Sequence, residues 1–287
     1  MSTTQQQNPR TWFITGASRG FGALISHEAL RAGDNVVATA RNSRTVTSEI
    51  GEHPRLLALD LDVTDEVQAR GAAAAAVEHF GAIDVLLNNA GFGLLGAVEE
   101  ASAEEVEQLY RTNVFGLLAV TRAVLPHMRR RLKGHVMNIS SVGGYRSSAG
   151  FGIYCSTKFA VEGISEALAA ELKPLGIHVT VIEPGYFRTD FLDARSLLVS
   201  TNMIADYSAT AGAVREHAKV ISHNQPGDPA KLARAIVSLA GNPAAPLRMP
   251  FGSDTVAAIE AKHAFVAAEL ERWRSLAVST DFEAVAS

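Results

Sequence analysis

Near its amino terminus the chain carries a short apolar, β-rich run, Thr11-Trp12-Phe13-Ile14-Thr15, that breaks into Gly16-Ala17-Ser18-Arg19-Gly20-Phe21-Gly22. An amphipathic pattern of Leu24, Ile25, Ala29 and Leu30 follows and stops at Gly33. Strand, glycine turn and helix in that order form the context that a dinucleotide-binding loop requires. The glycines permit a tight turn and let the backbone approach a pyrophosphate. The helix amino terminus then offers it free N–H groups and a positive dipole end. The spacing here is Gly-x-x-x-Gly-x-Gly.

The same alternation continues. Strands are expected at 35–39, 55–59, 83–87, 135–139, 177–182 and, briefly, 247–251. Helices are expected over 66–80, 103–130, from Tyr154 to about Pro174, over 229–240, and after the last strand to about Leu276. Alternating strands and helices predict an α/β fold, a Rossmann-like doubly wound three-layer sandwich with a parallel sheet of about seven strands. With 47% hydrophobic and 20% charged residues, the 287-residue chain can bury one large core, and no repeat or linker divides it. Residues 10–287 are read as a single domain after a polar, disordered leader at 1–9. Residues 186–225, without strand character, are read as a substrate lid.

A net charge of −4 gives no basic footprint for nucleic acid. The single cysteine, Cys155, excludes an internal disulfide framework or a multi-cysteine metal site, and the scattered histidines suggest no metal ligands. No stretch approaches the roughly 18 apolar residues of a membrane span. A cytoplasmic protein without membrane or nucleic-acid partners is the expectation.

The candidate chemistry centres on Tyr154-Cys155-Ser156-Thr157-Lys158. At i and i+4 of a helix, a phenol and an ammonium share a face, and the ammonium is expected to lower the phenol's pKa toward use as a proton donor or acceptor. Cys155 between them is read as packing. After the second strand, Ala40 stands where an acid would bind a ribose hydroxyl in an NAD site. Arg41 and Arg19 instead offer guanidinium groups suited to a 2′-phosphate, which favours NADP(H). Asp62 at the third strand's end could accept from an adenine amino group. Asn88-Asn89-Ala90-Gly91 can tie the fourth strand's end to its neighbours along a cofactor. Asn113, inside a helical pattern, points to a buried polar role or a local kink.

Taken together, Thr15-Gly16-x-x-x-Gly20-x-Gly22, Asn88-Asn89-Ala90-Gly91, Asn113, Ser141, Tyr154-x-x-x-Lys158 and Pro184-Gly185 resemble the short-chain dehydrogenase/reductase family over roughly residues 10–250. More loosely, Pro184–Leu192 and the C-terminal helix resemble its hydroxysteroid-dehydrogenase-like branch. The resemblance implies that Tyr154 protonates a carbonyl oxygen or deprotonates an alcohol, and that Lys158 tunes it and binds the nicotinamide ribose. Ser141 would hydrogen-bond the substrate oxygen, and Asn113 would hold a proton-relaying water. Ser141 is preferred to Ser140 because the family's serine usually lies 13 positions before its tyrosine. Gly16, Ser18, Arg19, Gly20, Phe21 and Gly22 would hold the pyrophosphate and ribose, and Asp62 and Val63 the adenine. Asn89, Ala90, Gly91, Pro184 and Gly185 would line the cofactor, and Thr189 would contact its carboxamide.

Gly93, Leu94, Leu95, Val142, Tyr145, Tyr186 and Phe187 are expected around the substrate beside Ser141. Their apolar character favours a bulky ketone, or the corresponding secondary alcohol, over a sugar or charged acid. The expected activity is NADP(H)-dependent carbonyl reduction by a homodimer or homotetramer. Two alternatives are oxidation of an alcohol or hydroxysteroid by the same residues, and a cofactor-binding regulatory protein. The intact Ser141, Tyr154, Lys158 and Asn113 set weighs against the last.

Overall fold

The computed structural model describes residues 9–282; the expected leader lies outside the described residues except for Pro9. The chain runs β1 (Thr11–Thr15), α1 (Gly20–Arg31), β2 (Asn35–Ala40), α2 (Ser43–Ile50), β3 (Leu56–Asp60), α3 (Glu66–Phe80), β4 (Val85–Asn88) and β5 (Gly93–Leu95). It continues through α4 (Ala103–Tyr110), α5 (Leu117–Arg131), β6 (Gly134–Ile139), α6 (Gly152–Leu172), β7 (Ile177–Pro184) and β8 (Leu197–Val199). The last elements are α7 (Ala213–Ile221), α8 (Pro229–Leu239), β9 (Arg248–Phe251) and α9 (Ser253–Val278). Among the described residues no helix is long and apolar enough to cross a membrane.

Seven strands form one parallel sheet in the order β3-β2-β1-β4-β6-β7-β9. Its central strands are apolar in unbroken runs because both faces are covered. Successive side chains point to opposite faces. Trp12, Ile14, Val36 and Ala38 therefore pack with Ile25 and Ala29 of α1 and Leu232 and Ile236 of α8. Phe13 and Val37 pack with Ala69, Ala73 and Ala76 of α3 and with Val120, Val124 and Met128 of α5. This is the three-layer sandwich that alternation predicts. Strand order reverses between β1 and β4, and in open α/β sheets that reversal opens a crevice at the strands' carboxyl ends.

Three local departures matter for the site. Residues 103–130 are not one helix: Arg111–Gly116 forms a π-helical turn between α4 and α5, with Asn113 inside it. Residues 186–225, expected to lack strands, contain β8 and α7. β8 pairs in parallel with β5, Gly93 to Leu197 and Leu95 to Val199, as a separate two-stranded sheet. α2 was not anticipated; it starts on the Asn42 side chain, which accepts from Arg44 N.

Candidate active site

A cavity of about 630 Å³ lies along the carboxyl ends of β1, β2, β3, β4, β6 and β7. β1 leads to Gly16 (φ +67°), whose missing Cβ would stand 2.9 Å from Ala90 Cα. A Cβ on Gly22 would meet Gly16 O at 2.4 Å, so Gly22 serves close helix–strand packing and does not line the cavity. Arg19 precedes α1 without a side-chain cap, and no acidic residue occupies the helix's first turn. The N–H groups of that turn are thus left without side-chain partners at the cavity edge, as an anion requires.

β4 is tied to this turn by Asn89, whose Nδ2 donates to Thr15 O at 2.9 Å and Gly16 O at 3.1 Å. The Thr15 hydroxyl in turn accepts from Asn89 N at 2.9 Å and Ala90 N at 3.0 Å. Beneath them Asn88 donates to Thr121 Oγ1 and Asn138 Oδ1, both at 2.9 Å. Asn113 stands behind the cavity wall. Its Oδ1 accepts from Phe92 N (3.1 Å), and its Nδ2 donates to Phe92 O (2.9 Å) and Thr157 Oγ1 (3.2 Å). Its side chain so joins the exit of β4 to the catalytic-looking turn of α6, and the irregular backbone that its sequence signalled is the π-turn.

Beyond β6, Ser141 Oγ accepts from Gly143 N at 3.0 Å and faces the cavity. Ser140 Oγ is buried, has no well-formed hydrogen bond among the described residues and points toward Glu162: both would clash with a Cβ on Gly144. The geometry thus sets Ser141, and not Ser140, beside the phenol of Tyr154. Tyr154 is 8% exposed, with Phe151 and Phe191 at ring-centroid distances of 6.1 and 5.5 Å. Lys158 Nζ donates to Ile139 O at 2.9 Å and lies 5.8 Å from the Tyr154 ring centroid.

The chain matches the family model for short chain dehydrogenases over residues 10–197. It belongs to that family. It is 37% identical to an oxidoreductase of Botryotinia fuckeliana, across 94% of this chain and 99% of that one. It is 38% identical to a 3-ketodihydrosphingosine reductase of Bacteroides thetaiotaomicron, across 85% of this chain and 88% of the relative. A short-chain dehydrogenase from Streptomyces avermitilis superposes with a TM-score of 0.88 at 40% identity, covering 96% of this chain and all of that one.

In this short-chain dehydrogenase, one electrostatic expectation is overturned. Burial pushes the Tyr154 phenol above its ordinary value, only partly offset by the Ser141 hydroxyl; Lys158 does not bring it down. Its ammonium is itself pushed down to about 8 by burial, with Glu162 acting in the opposite direction. Desolvation disfavours both charged forms, and here it outweighs the opposing effects of Ser141 on the phenol and Glu162 on the ammonium.

Gly16, Ser18, Arg19, Gly20, Phe21, Arg41, Asp62, Val63, Asn89, Ala90, Gly91, Pro184, Gly185 and Thr189 all line the cavity, as do Val142, Tyr186 and Phe187. Four expected substrate contacts do not. Gly93 and Leu95 lie in the β5–β8 sheet, with Leu95 packed on Leu197. Leu94 packs behind Tyr154 and Cys155. Tyr145 turns away to touch His263 of α9. Asp62 spends Oδ1 on Thr64 N (2.9 Å) and Thr64 Oγ1 (2.8 Å). Arg19 reaches Ser196 Oγ at 3.0 Å and Arg195 O at 2.8 Å, joining the glycine turn to the segment before β8. Arg41 is exposed, with no salt-bridge partner among the described residues. Phe191, Ser196 and the Ile139 carbonyl were missed in the sequence, since only tertiary contacts give them a place in the site, and Thr15, read there as part of the glycine motif, gains its role from the Asn89 and Ala90 amides.

Proposed function

We propose that this protein is an NADP(H)-dependent carbonyl reductase that reduces a bulky, largely apolar ketone. The observation that carries the reading is Tyr154: a phenol held in its protonated form by burial, with the Ser141 hydroxyl beside it and Lys158 behind, at the crevice where strand order reverses. A protonated phenol beside a hydroxyl can deliver its proton to a carbonyl oxygen, and Arg19 and Arg41, which suit NADPH, favour the reductive direction.

The dinucleotide, when bound, supplies the hydride. The uncapped start of α1 with Gly16, Ser18 and Gly20 holds its pyrophosphate, and Arg19 and Arg41 its 2′-phosphate. Asp62 and Val63 border the adenine. Phe21, Asn89, Ala90, Gly91, Pro184 and Gly185 line its course, and Thr189 holds the carboxamide. Lys158 binds the nicotinamide ribose. Ser141 Oγ donates a hydrogen bond to the ketone oxygen, and Tyr154 Oη delivers the proton to it. Asn113 keeps the Phe92 backbone and Thr157 in register and holds the water through which protons return to Lys158.

Val142, Phe151, Tyr186, Phe187, Phe191, Leu192 and Leu198 give the far end of the cavity its apolar character. That suits a hydroxysteroid-like or long-chain ketone, and the relative named as a 3-ketodihydrosphingosine reductase supports the second class. The same reading makes the protein a cytoplasmic homodimer or homotetramer, with residues 186–225 as its lid.

The test is NADPH and NADH oxidation by wild type and Tyr154→Phe against aryl, steroid and long-chain ketones. Phe keeps the ring contacts and removes the proton. Loss of about 10²–10⁴-fold in kcat/KM, the usual share of a general acid, is expected with cofactor binding unchanged. NADPH binding without turnover of any ketone by the wild type would identify a binding protein instead.

A further inference from the structure

Behind Lys158 lies a cluster of buried charge that the proposed chemistry does not use. Lys158, Glu162 and Glu166 follow one another at four-residue spacing along α6 and so share one face of it. Lys158 is 7% exposed and lines the cavity; Glu162 is 6% exposed and does not. β7 adds the fully buried Glu183, and β9 adds Arg248. Arg248 Nε donates to Glu162 Oε2 at 3.1 Å, and its Nη2 donates to the exposed Glu166 at 3.0 Å. Glu183 Oε1 lies 3.8 Å from the same Nε. From the end of β6 the Ser140 hydroxyl borders this carboxylate: a Cβ on Gly144 would stand 2.4 Å from Ser140 Oγ and 3.1 Å from Glu162 Oε1. One turn before Lys158 come Tyr154 and Cys155. α9 brings Asp254 and His263 to the neighbouring Tyr186 and Tyr145.

A buried ion is costly unless a counter-charge and hydrogen bonds compensate it. Lys158 has no carboxylate within salt-bridge distance among the described residues, and one of its three protons goes to Ile139 O. The compensating charge is therefore the carboxylate one helical turn away. Burial favours a proton on both carboxyl groups of the cluster. Glu183, pushed up to about 7 by burial and by Glu162, takes it first, and the hydrogen bond from Arg248 keeps the negative charge on Glu162.

We propose that Glu162 is a positioning residue for the reaction: from outside the cavity its carboxylate, anchored by Arg248, keeps the ammonium of Lys158 charged and thereby sets the upper pH limit of activity. The consequence for turnover rests on the role given to Lys158 above; the effect on its charge rests on the cluster alone. Burial, opposed by Glu162, pushes the ammonium down to about 8, so its charge is lost as pH rises through that value. Removing the Glu162 charge moves the loss to lower pH.

The test uses the full chain without cofactor. Lys158 is the one buried lysine among the described residues, and NMR of isotopically labelled lysine side chains, with its signal assigned by loss in Lys158→Arg, reads its charge directly. Glu162→Gln should bring its titration down by about 1 pH unit. Glu162→Asp keeps the charge and should restore most of the difference. Glu166→Gln removes an exposed charge from the same face and should leave Lys158 where it is. Arg248→Gln, which leaves Glu162 intact but unanchored, should move Lys158 in the same direction as Glu162→Gln and serves if that variant does not fold. With NADPH and a ketone substrate, kcat of Glu162→Gln should be about fivefold below wild type at pH 8 and close to it at pH 6. Identical Lys158 titration in wild type, Glu162→Gln and Arg248→Gln overturns the proposal. So does a loss of kcat that is equal at both pH values and not rescued by Asp, which would make Glu162 a packing residue. The expected shift in a protein that turns over no ketone would uphold the pairing and count against the reductase reading instead.

Discussion

Glu183 closes β7 with its carboxylate fully buried, and neither oxygen has a hydrogen-bond partner among the described residues. Arg248 Nε stays 3.8 Å away while reaching Glu162 at 3.1 Å. Burial, reinforced by Glu162, pushes Glu183 from the usual 4.5 up to about 7, against the pull of Arg248. The folded chain therefore holds this proton more tightly than the unfolded one. The associated stability is fully present below about 4.5 and is lost as pH rises through about 7. Glu183→Gln removes that loss. Its melting temperature should exceed that of wild type at pH 8 by a few degrees, at about 2–4 °C per kcal/mol, and the gap should close toward pH 5. His135, pushed down to about 4 chiefly by burial, destabilises both proteins as pH falls from 6.5 through that value and cancels in the comparison. A gap that does not vary with pH would mean that Glu183 does not titrate in this range.

Among the elements, α7 depends on one ion pair. Arg215 Nη1 donates to Glu100 Oε2 at 2.6 Å and Nη2 to Oε1 at 3.2 Å; the same carboxylate accepts from Ala97 N at 2.7 Å and Ile204 N at 2.9 Å. The Arg215 hydrogen bonds, followed by those of the two backbone amides, hold Glu100 down at about 2. This contribution is present above the ordinary 4.5 and lost as pH falls toward 2. Glu100→Gln leaves the Arg215 charge without its partner. Residues 193–227 should then be cut severalfold faster by protease, and KM for the ketone should rise more than kcat falls. Equal cleavage of variant and wild type would show that β5–β8 pairing alone secures the segment. Little of this was legible in the sequence. Three-residue strands such as Gly93–Leu95 have no period to read, and Glu100–Arg215 joins residues with no local signal. The main sheet was legible because its strands are short, mostly apolar β-rich runs, several of them closed by Gly, Asn or Pro, separated by helical patterns. Tyr154, Lys158 and Asn89 were legible because their chemistry fixes residue type and spacing. The burial that decides the charge state of Tyr154, Lys158 and Glu183 is a property of the packed molecule.

For the molecule as a whole, a ligand that binds only the folded state stabilises it by RT ln(1 + [L]/Kd), about 2.7 kcal/mol at a hundredfold excess over Kd. Cofactor preference can therefore be read as a melting shift without knowledge of the ketone. Arg41 stands exposed at the end of β2, where Ala40 leaves no carboxylate to receive a ribose hydroxyl. Arg19, in contrast, is engaged with Ser196 and Arg195. A 2′-phosphate would give Arg41 a charge-assisted partner worth about 1.5–3 kcal/mol, or roughly a ten- to hundredfold gain in affinity. At equal concentration NADPH should raise the melting temperature more than NADH. Arg41→Ala should abolish most of the difference while leaving the NADH shift in place. Arg19→Ala should lower both shifts, because the arginine it removes also ties the glycine turn to residues 195–196. Equal shifts for the two cofactors in wild type would assign Arg41 to solvent and show that neither arginine distinguishes the two dinucleotides.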